Sequence, residues 1–231
     1  MGEGCRAVQG ANRLNRHADS PPHARSAAPD LTRLLTPRAI AVVGASEDPR
    51  RIGGQPVHAL TEYGYRGAVY PVNPNRAQIK GLKCYPEVGA VPQPCDVALL
   101  ALPAQEVPDV IEQCGRAGIA FAVVLSAGFG EVGNRELQAR LEAAIKSSGV
   151  RVVGPNCVGI LNLRDHVFSG FGAGFRNPNL KRGPVAMVSQ SGGFGYSVVA
   201  FAEHEGIGFN YMISSGNEVD LTSLDIIEHL L

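Results

Sequence analysis

A chain of 231 residues has room for one large domain or two small ones. Lys+Arg and Asp+Glu balance at 21 each, so no net field draws it to nucleic acid or to an anionic membrane. Trp is absent and aromatics make up 6%, which disfavours a carbohydrate site or a base-stacking platform. The apolar runs are short and broken by Gly or Pro, too short to cross a bilayer.

Residues Met1 to Asp30 carry Arg6, Arg13, Arg16 and Arg25 around a Ser20-Pro21-Pro22-His23 stretch. So little apolar content predicts a disordered tail over 1–30. The competing reading is an Arg-rich, acid-poor organelle-targeting peptide, but large apolar residues are too sparse for an amphipathic helix. From Leu31 onward, apolar runs alternate with helical patterns. Strands are expected at Ile40–Val43, Ala68–Val72, Val97–Leu102, Phe121–Leu125 and Val150–Val153. Val107, Val110, Ile111, Cys114 and Ala117 share one helix face, as do Leu137, Leu141, Ala144 and Ile145. Strands alternating with helices predict an α/β fold with a parallel doubly wound sheet, Rossmann-like, over 31–162. Residues 163–182 are rich in Gly, Asn and Phe without a period, and read as a linker. A second unit then opens over 183–231: strand Val185–Ser189, helix Phe194–Glu205, strand Phe209–Ile213 and helix Leu221–Leu231. Two βα units cannot bury both faces of a sheet, so this unit is expected to be cut short, with Leu224, Ile227 and Leu231 exposed. The five cysteines, Cys5, Cys84, Cys95, Cys114 and Cys157, form no CxxC or metal-like cluster. They are expected to be free thiols in a reducing cytoplasm, and no metal site is expected.

The richest stretch is 39–54, AIAVVGASEDPRRIGG. An apolar run breaking into Gly44, Ala45 and Ser46 is how a buried parallel strand meets a phosphate-binding turn. The spacing is not GxGxxG, since the next glycine is Gly53, so a plain dinucleotide fingerprint is a poor match. Arg50 and Arg51 suit a ligand with more phosphate charge than a pyrophosphate, or with a separate phosphate. The other strand ends are equally small or proline-marked: Asn73-Pro74, Pro103-Ala104, Ser126-Ala127-Gly128-Phe129 and Gly154-Pro155-Asn156-Cys157. Taken singly, each reads as loop punctuation. Taken together, five such ends describe a rim along which a long ligand could lie.

The strings GAS…P…GG, YPVNPN, ALP, SAGFGE, GPNCVG, VSQSGG and SSGNEVDL run in the order and spacing of a known family. The chain from Leu31 to Leu231 resembles the CoA-binding α part of the acyl-CoA synthetases that form a nucleoside diphosphate. ADP-forming acetyl-CoA synthetase belongs to that group, and succinyl-CoA synthetase is a more distant relative. The resemblance implies a CoA-binding domain followed by a flavodoxin-like ligase domain. It implies that Gly44, Ala45 and Ser46 cradle the CoA phosphates and that Arg50 and Arg51 face its adenosine phosphate end. Asn73 and Pro74 would lie near adenine and ribose, Pro103 and Ala104 beside pantetheine, and Ser126, Ala127, Gly128 and Phe129 along the thiol-bearing arm.

Two further motifs are expected at helix N-termini that hold a phosphoryl anion: Asn156, Cys157 and Val158, then Ser189, Ser191, Gly192 and Gly193. Cys157 reads either as a nucleophile or as a small buried thiol. The thiol is favoured because no His or Asp motif accompanies it. Glu218 reads either as a solvated charge in a turn capped by Asp220 or Thr222, or as the acidic residue that the family places near its phosphohistidine. The family's reaction links acyl-CoA, phosphate and ADP to acid, CoA and ATP through an acyl phosphate and that histidine. His58, His166, His204 and His229 lack its glycine-rich surroundings, so the histidine segment is expected to be absent. ATP, ADP and Mg are expected to enter only through another domain or an ATP-grasp β subunit. The alternatives are the N-terminal part of a protein lysine acetyltransferase with the same ligase-like region, or a CoA-binding regulatory module without catalysis.

Overall fold

A computed structural model describes residues 29–231. The tail expected over 1–30, with Cys5, lies almost wholly outside the described residues. The elements run α1 (Thr32–Leu35), β1 (Ala39–Val43), α2 (Gly54–Glu62), β2 (Ala68–Val72), β3 (Gln78–Ile79), β4 (Leu82–Lys83), β5 (Val97–Leu100), α3 (Val107–Arg116), β6 (Phe121–Val124), α4 (Arg135–Ser148), β7 (Arg151–Val153), β8 (Gly159–Asn162), β9 (Val167–Gly170), β10 (Arg182–Ser189), α5 (Gly192–His204), β11 (Phe209–Ser214) and α6 (Ser223–Leu230).

The first sheet has the order β2-β1-β5-β6-β7, with every pair parallel. All residues of β1, β5 and β6 are buried, as a parallel sheet covered on both faces requires. Alternation splits β1 between two cores. Ala39, Ala41 and Val43 face Val107, Ile111 and Cys114 of α3 and Leu137 and Leu141 of α4. Ile40 and Val42 face Leu34 of α1, Val57 and Leu60 of α2, and Ile226 of α6. The Asn134 side chain caps α4 by accepting from the Leu137 N–H at 3.2 Å. At the amino ends of β1 and β5, Arg38 forks onto the buried Asp96: Nε donates to Oδ2 at 2.9 Å and the Arg38 N–H to the same oxygen at 2.7 Å.

That ion pair has a measurable consequence. The hydrogen bonds from Arg38 hold the Asp96 carboxyl below its ordinary value of 3.8. A lowered native value stabilises the fold fully above the unfolded value, and the gain is lost as pH falls through the native one. Asp96→Ala is expected to cost about 2 kcal/mol at neutral pH, because it strips the Arg38 N–H and guanidinium of their acceptor. In urea unfolding, the gap between variant and parent should narrow below pH 4. A gap that is constant down to pH 2 would contradict this origin.

The second sheet departs from expectation. Its order is β10-β11-β8-β9, with β10 parallel to β11 and the β8–β9 hairpin antiparallel to it. The stretch read as a linker over 163–182 therefore contains β9 and the short turn Gly174–Arg176. The boundary at Asn162 cuts through the hairpin, since β8 belongs to the second sheet. Four-residue strands in glycine-rich surroundings carry too little period to be seen. Phe168 and Phe175, within the supposed linker, are buried core residues. The four paired elements expected after 182 are present. As expected, Leu224 and Ile227 are exposed, and so are Phe194 (64%) and Phe201 (71%) on α5. Among the described residues, no helix is long and apolar enough to cross a membrane.

Candidate ligand cleft

The strand order reverses between β1 and β5, which is where an open α/β sheet leaves a crevice at its carboxyl ends. The loop after β1 closes tightly there. Gly44 has φ +83°, and a Cβ on it would sit 2.2 Å from the Ala101 carbonyl oxygen, so only glycine lets the two strand ends meet. Gly53 lies equally close over Gly44, with a Cβ 2.0 Å from the Gly44 oxygen. The Asn73 side chain ties the β2 loop in, its Nδ2 donating to Ala45 O at 2.9 Å.

The backbone donors of this turn are already engaged. The N–H groups of Gly44 and Ala45 donate to Val72 O, and that of Ser46 to Gly53 O. The Ser46 Oγ accepts from the Asp48 N–H at 3.2 Å, which leaves its own proton to donate outward. The two arginines differ. Arg50 is forked onto Asp48, with Nε–Oδ1 3.0 Å and Nη2–Oδ2 2.9 Å, and these bonds pull the Asp48 carboxyl down to about 2. Arg51 has no ion-pair partner among the described residues. Among the described residues, the donors this loop leaves unengaged are therefore the Ser46 hydroxyl and the Arg51 guanidinium, not a nest of free N–H groups.

Beside the turn is a cavity of about 310 Å³, lined among others by Ile52, Leu102, Ser126, Ala127, Cys157, Val158 and Phe171. Ser126 Oγ donates to Leu102 O at 2.6 Å and joins the loops after β5 and β6. Pro103 and Ala104 continue the β5 loop into α3, while Pro74 is on the surface of the β2 loop. Phe129 departs from expectation: its side chain is fully buried among α3 and α4, so only its backbone belongs to the loop. Cys157 is a buried thiol that donates to Val124 O, and burial pushes it up to about 12, which disqualifies it as a nucleophile. Ile52 and Phe171 were missed. A large apolar residue next to Arg51 in a polar loop was the available signal for the first, and the linker reading hid the second.

The two expected phosphate motifs part company. After Asn156–Val158 the chain enters β8, so no helix N-terminus lies there; Asn156 instead takes a left-handed turn with φ 58°. Ser191 does begin a helix: it caps α5, its Oγ accepting from the Phe194 N–H. Ser189 Oγ donates to Ser191 O, and Gly193 occupies the open first turn. Gly192 packs on Val158, so α5 starts against the wall of the cavity. The two units are stitched here. Asn156 Nδ2 donates to Asn217 Oδ1 at 3.2 Å, and Asn217 Nδ2 donates to Glu131, which also accepts from the Gly128 N–H. Glu218, with φ 56°, accepts from Ser215 Oγ at 2.6 Å and the Ser223 N–H at 3.0 Å. Burial pushes its carboxyl up, yet hydrogen bonds from Ser215, Gln190 and Ser223 outweigh this and hold it below its ordinary value. Thr222, not Asp220, caps α6, while Asp220 pairs with Arg151.

These features define a class: a Rossmann-like domain with its cleft at the switch point, joined to a second α/β unit whose helix start borders that cleft. The chain belongs to the CoA binding domain family, whose model matches residues 38–162, and residues 182–231 match the succinyl-CoA ligase like flavodoxin domain. It is 36% identical over 207 residues to the acetate–CoA ligase [ADP-forming] II of Archaeoglobus fulgidus, covering 88% of this chain and 30% of that one. Its identity to the α subunit of the Pyrococcus furiosus acetate–CoA ligase [ADP-forming] II is 39% over 203 residues, covering 87% and 43%. The fold is similar to that of the dinucleotide forming acetyl-coenzyme A synthetase 1 of Ca. Korarchaeum cryptofilum, solved with phosphate and ADP. The TM-score is 0.81 at 43% identity, over 87% of this chain and 42% of that one. The chain thus spans less than half the length of each of these relatives.

Proposed function

We propose that the chain is the CoA-binding part of an ADP-forming acid–CoA ligase. The observation that carries this is the junction at Val158, where a cleft at the strand ends of a CoA-binding domain meets the capped N-terminus of α5. CoA would lie along the rim. Its phosphates would face Ser46 and Arg51, and its thiol-bearing arm would enter the cavity beside Ser126 and Ala127. An acyl phosphate formed at the thiol end would have its phosphoryl group next to Ser191, Gly192 and Gly193, where unpaired N–H groups and the helix dipole favour negative charge. Glu218 is held ionised beside Gln190, within the same loop cluster, ready to orient a cationic imidazolium delivered from elsewhere. The histidine, the nucleotide site and its Mg would come from a further segment or an ATP-grasp subunit. The relatives are named as ligases, which favours this reading over an acetyltransferase or a regulatory module.

Calorimetric titration with CoA, NAD and FMN tests the assignment. CoA is expected to bind with one site per chain, NAD and FMN at least about tenfold more weakly. Tighter NAD binding, or no CoA binding, would overturn it.

A further inference from the structure

At the opposite pole from the cleft, four connections meet: residues 36–37 before β1, 64–67 before β2, the β8–β9 turn at 164–166, and the first residue of β10. They enclose a cavity of about 330 Å³. Arg66 lines it from the first unit, and Arg164 and Arg182 line it from the second. Arg66 and Arg164 have no carboxylate within ion-pair distance among the described residues. Arg182 is held by the ring of His166. The one lining carboxylate, Asp165, is committed to Thr36 Oγ1 at 3.2 Å and Asn162 Nδ2 at 2.9 Å. Three guanidinium groups thus stand against one engaged carboxylate, in a chain whose formal net charge is zero. One wall is apolar: Tyr65 donates its hydroxyl proton to Pro37 O at 2.9 Å, fixing the ring beside the proline.

We infer that this cavity binds a phosphate monoester of a small organic molecule. A planar carboxylate is satisfied by one or two guanidinium forks, whereas a tetrahedral dianion with three terminal oxygens makes use of three. The volume sits at the lower end of the range for small-ligand sites, roughly 300 Å³ and above. Tyr65 and Pro37 offer the organic part a surface that inorganic phosphate cannot use. Because the lining comes from both units, the ligand clamps their joint at the pole away from CoA. Occupancy at this pole is therefore expected to stiffen the arrangement that brings α5 to the cleft.

The test is titration of the full chain, its cleft filled with CoA, with glucose 6-phosphate, AMP and inorganic phosphate. At least one organic phosphate is expected to bind with one site per chain, more tightly than inorganic phosphate, and to raise Tm. Both Arg66 and Arg164 are exposed, so the double variant R66Q/R164Q is expected to fold and to bind CoA as the parent does. It should weaken the organic phosphate by about tenfold or more. Failure of both organic phosphates to bind would overturn the inference. So would equal binding of inorganic phosphate, or unchanged binding in the double variant.

Discussion

Ser46→Glu is expected to abolish CoA binding. The residue follows Gly44 and Ala45 at the switch point, and its hydroxyl is the donor that the turn leaves free. With CoA seated as proposed, a carboxylate there would stand about 4 Å from a phosphate, where two like charges cost several kcal/mol at an effective dielectric near 20. That corresponds to a loss of more than about a hundredfold in affinity. Ser46→Ala separates charge from hydrogen bonding. It removes one donor and one acceptor and should weaken CoA by less than about tenfold. The measurement is calorimetry on both variants, with melting curves to establish that each is folded. If the glutamate variant bound CoA normally, the phosphates would not sit against this turn.

The second large effect is a complete absence of turnover: this chain alone is expected to make no thioester from acid, ATP and CoA. Phosphoryl transfer needs an acceptor held in line and groups that neutralise the moving charge. The start of α5 supplies part of the second requirement, but none of the described histidines supplies the first. His58 lies in α2 against Lys80 Nζ at 3.0 Å, and His166 sits in the β8–β9 turn with Arg182. His204 closes the 13-residue helix that Ser191 opens, so about 20 Å of helix separates them. His229 accepts from the Leu31 N–H at 3.2 Å, which ties the end of α6 to the start of α1. His17 and His23 lie outside the described residues. Incubation with acid, CoA and radiolabelled ATP, followed by thioester and phosphoprotein assays, should give neither product. Turnover, or acid-labile phosphate on any histidine, would show that a catalytic acceptor is present after all. The bare faces of α5 and α6, with Phe201 at 71% and Leu224 at 57% exposure, fit a unit made to be covered.

Much of this molecule was legible from its residues. Buried parallel strands announce themselves as short apolar runs, and the five strands of the first sheet fell within a residue or two of expectation. Small residues at the strand ends marked the rim, because only such residues allow backbone to approach backbone or ligand. The family motifs carried the identity of that ligand. What pattern alone could not supply were relations between distant segments. The β8–β9 hairpin has four-residue strands, and β8 joins its sheet only through β11, which comes some fifty residues later. Phe129 looked like a wall of the cleft from its place in SAGFGE, yet the packing of α3 on α4 draws it into the core. The motif after β7 looked like a helix start, but its chain leaves for another sheet.

The same division holds for the charges. The sequence determined that Arg50 and Arg51 stand in the first loop; only the folded chain decided that Asp48 neutralises one and leaves the other. Sequence also determined that Arg66, Arg164 and Arg182 exist, more than a hundred positions apart in total span. Only the tertiary structure brought them around one cavity, because the β8–β9 turn and the start of β10 pack against the foot of the first sheet. Period and small-residue spacing are local properties, and a local reading recovers them. Which side chains share a site depends on how two sheets dock, and that is set by the sum of many weak contacts spread along the whole chain.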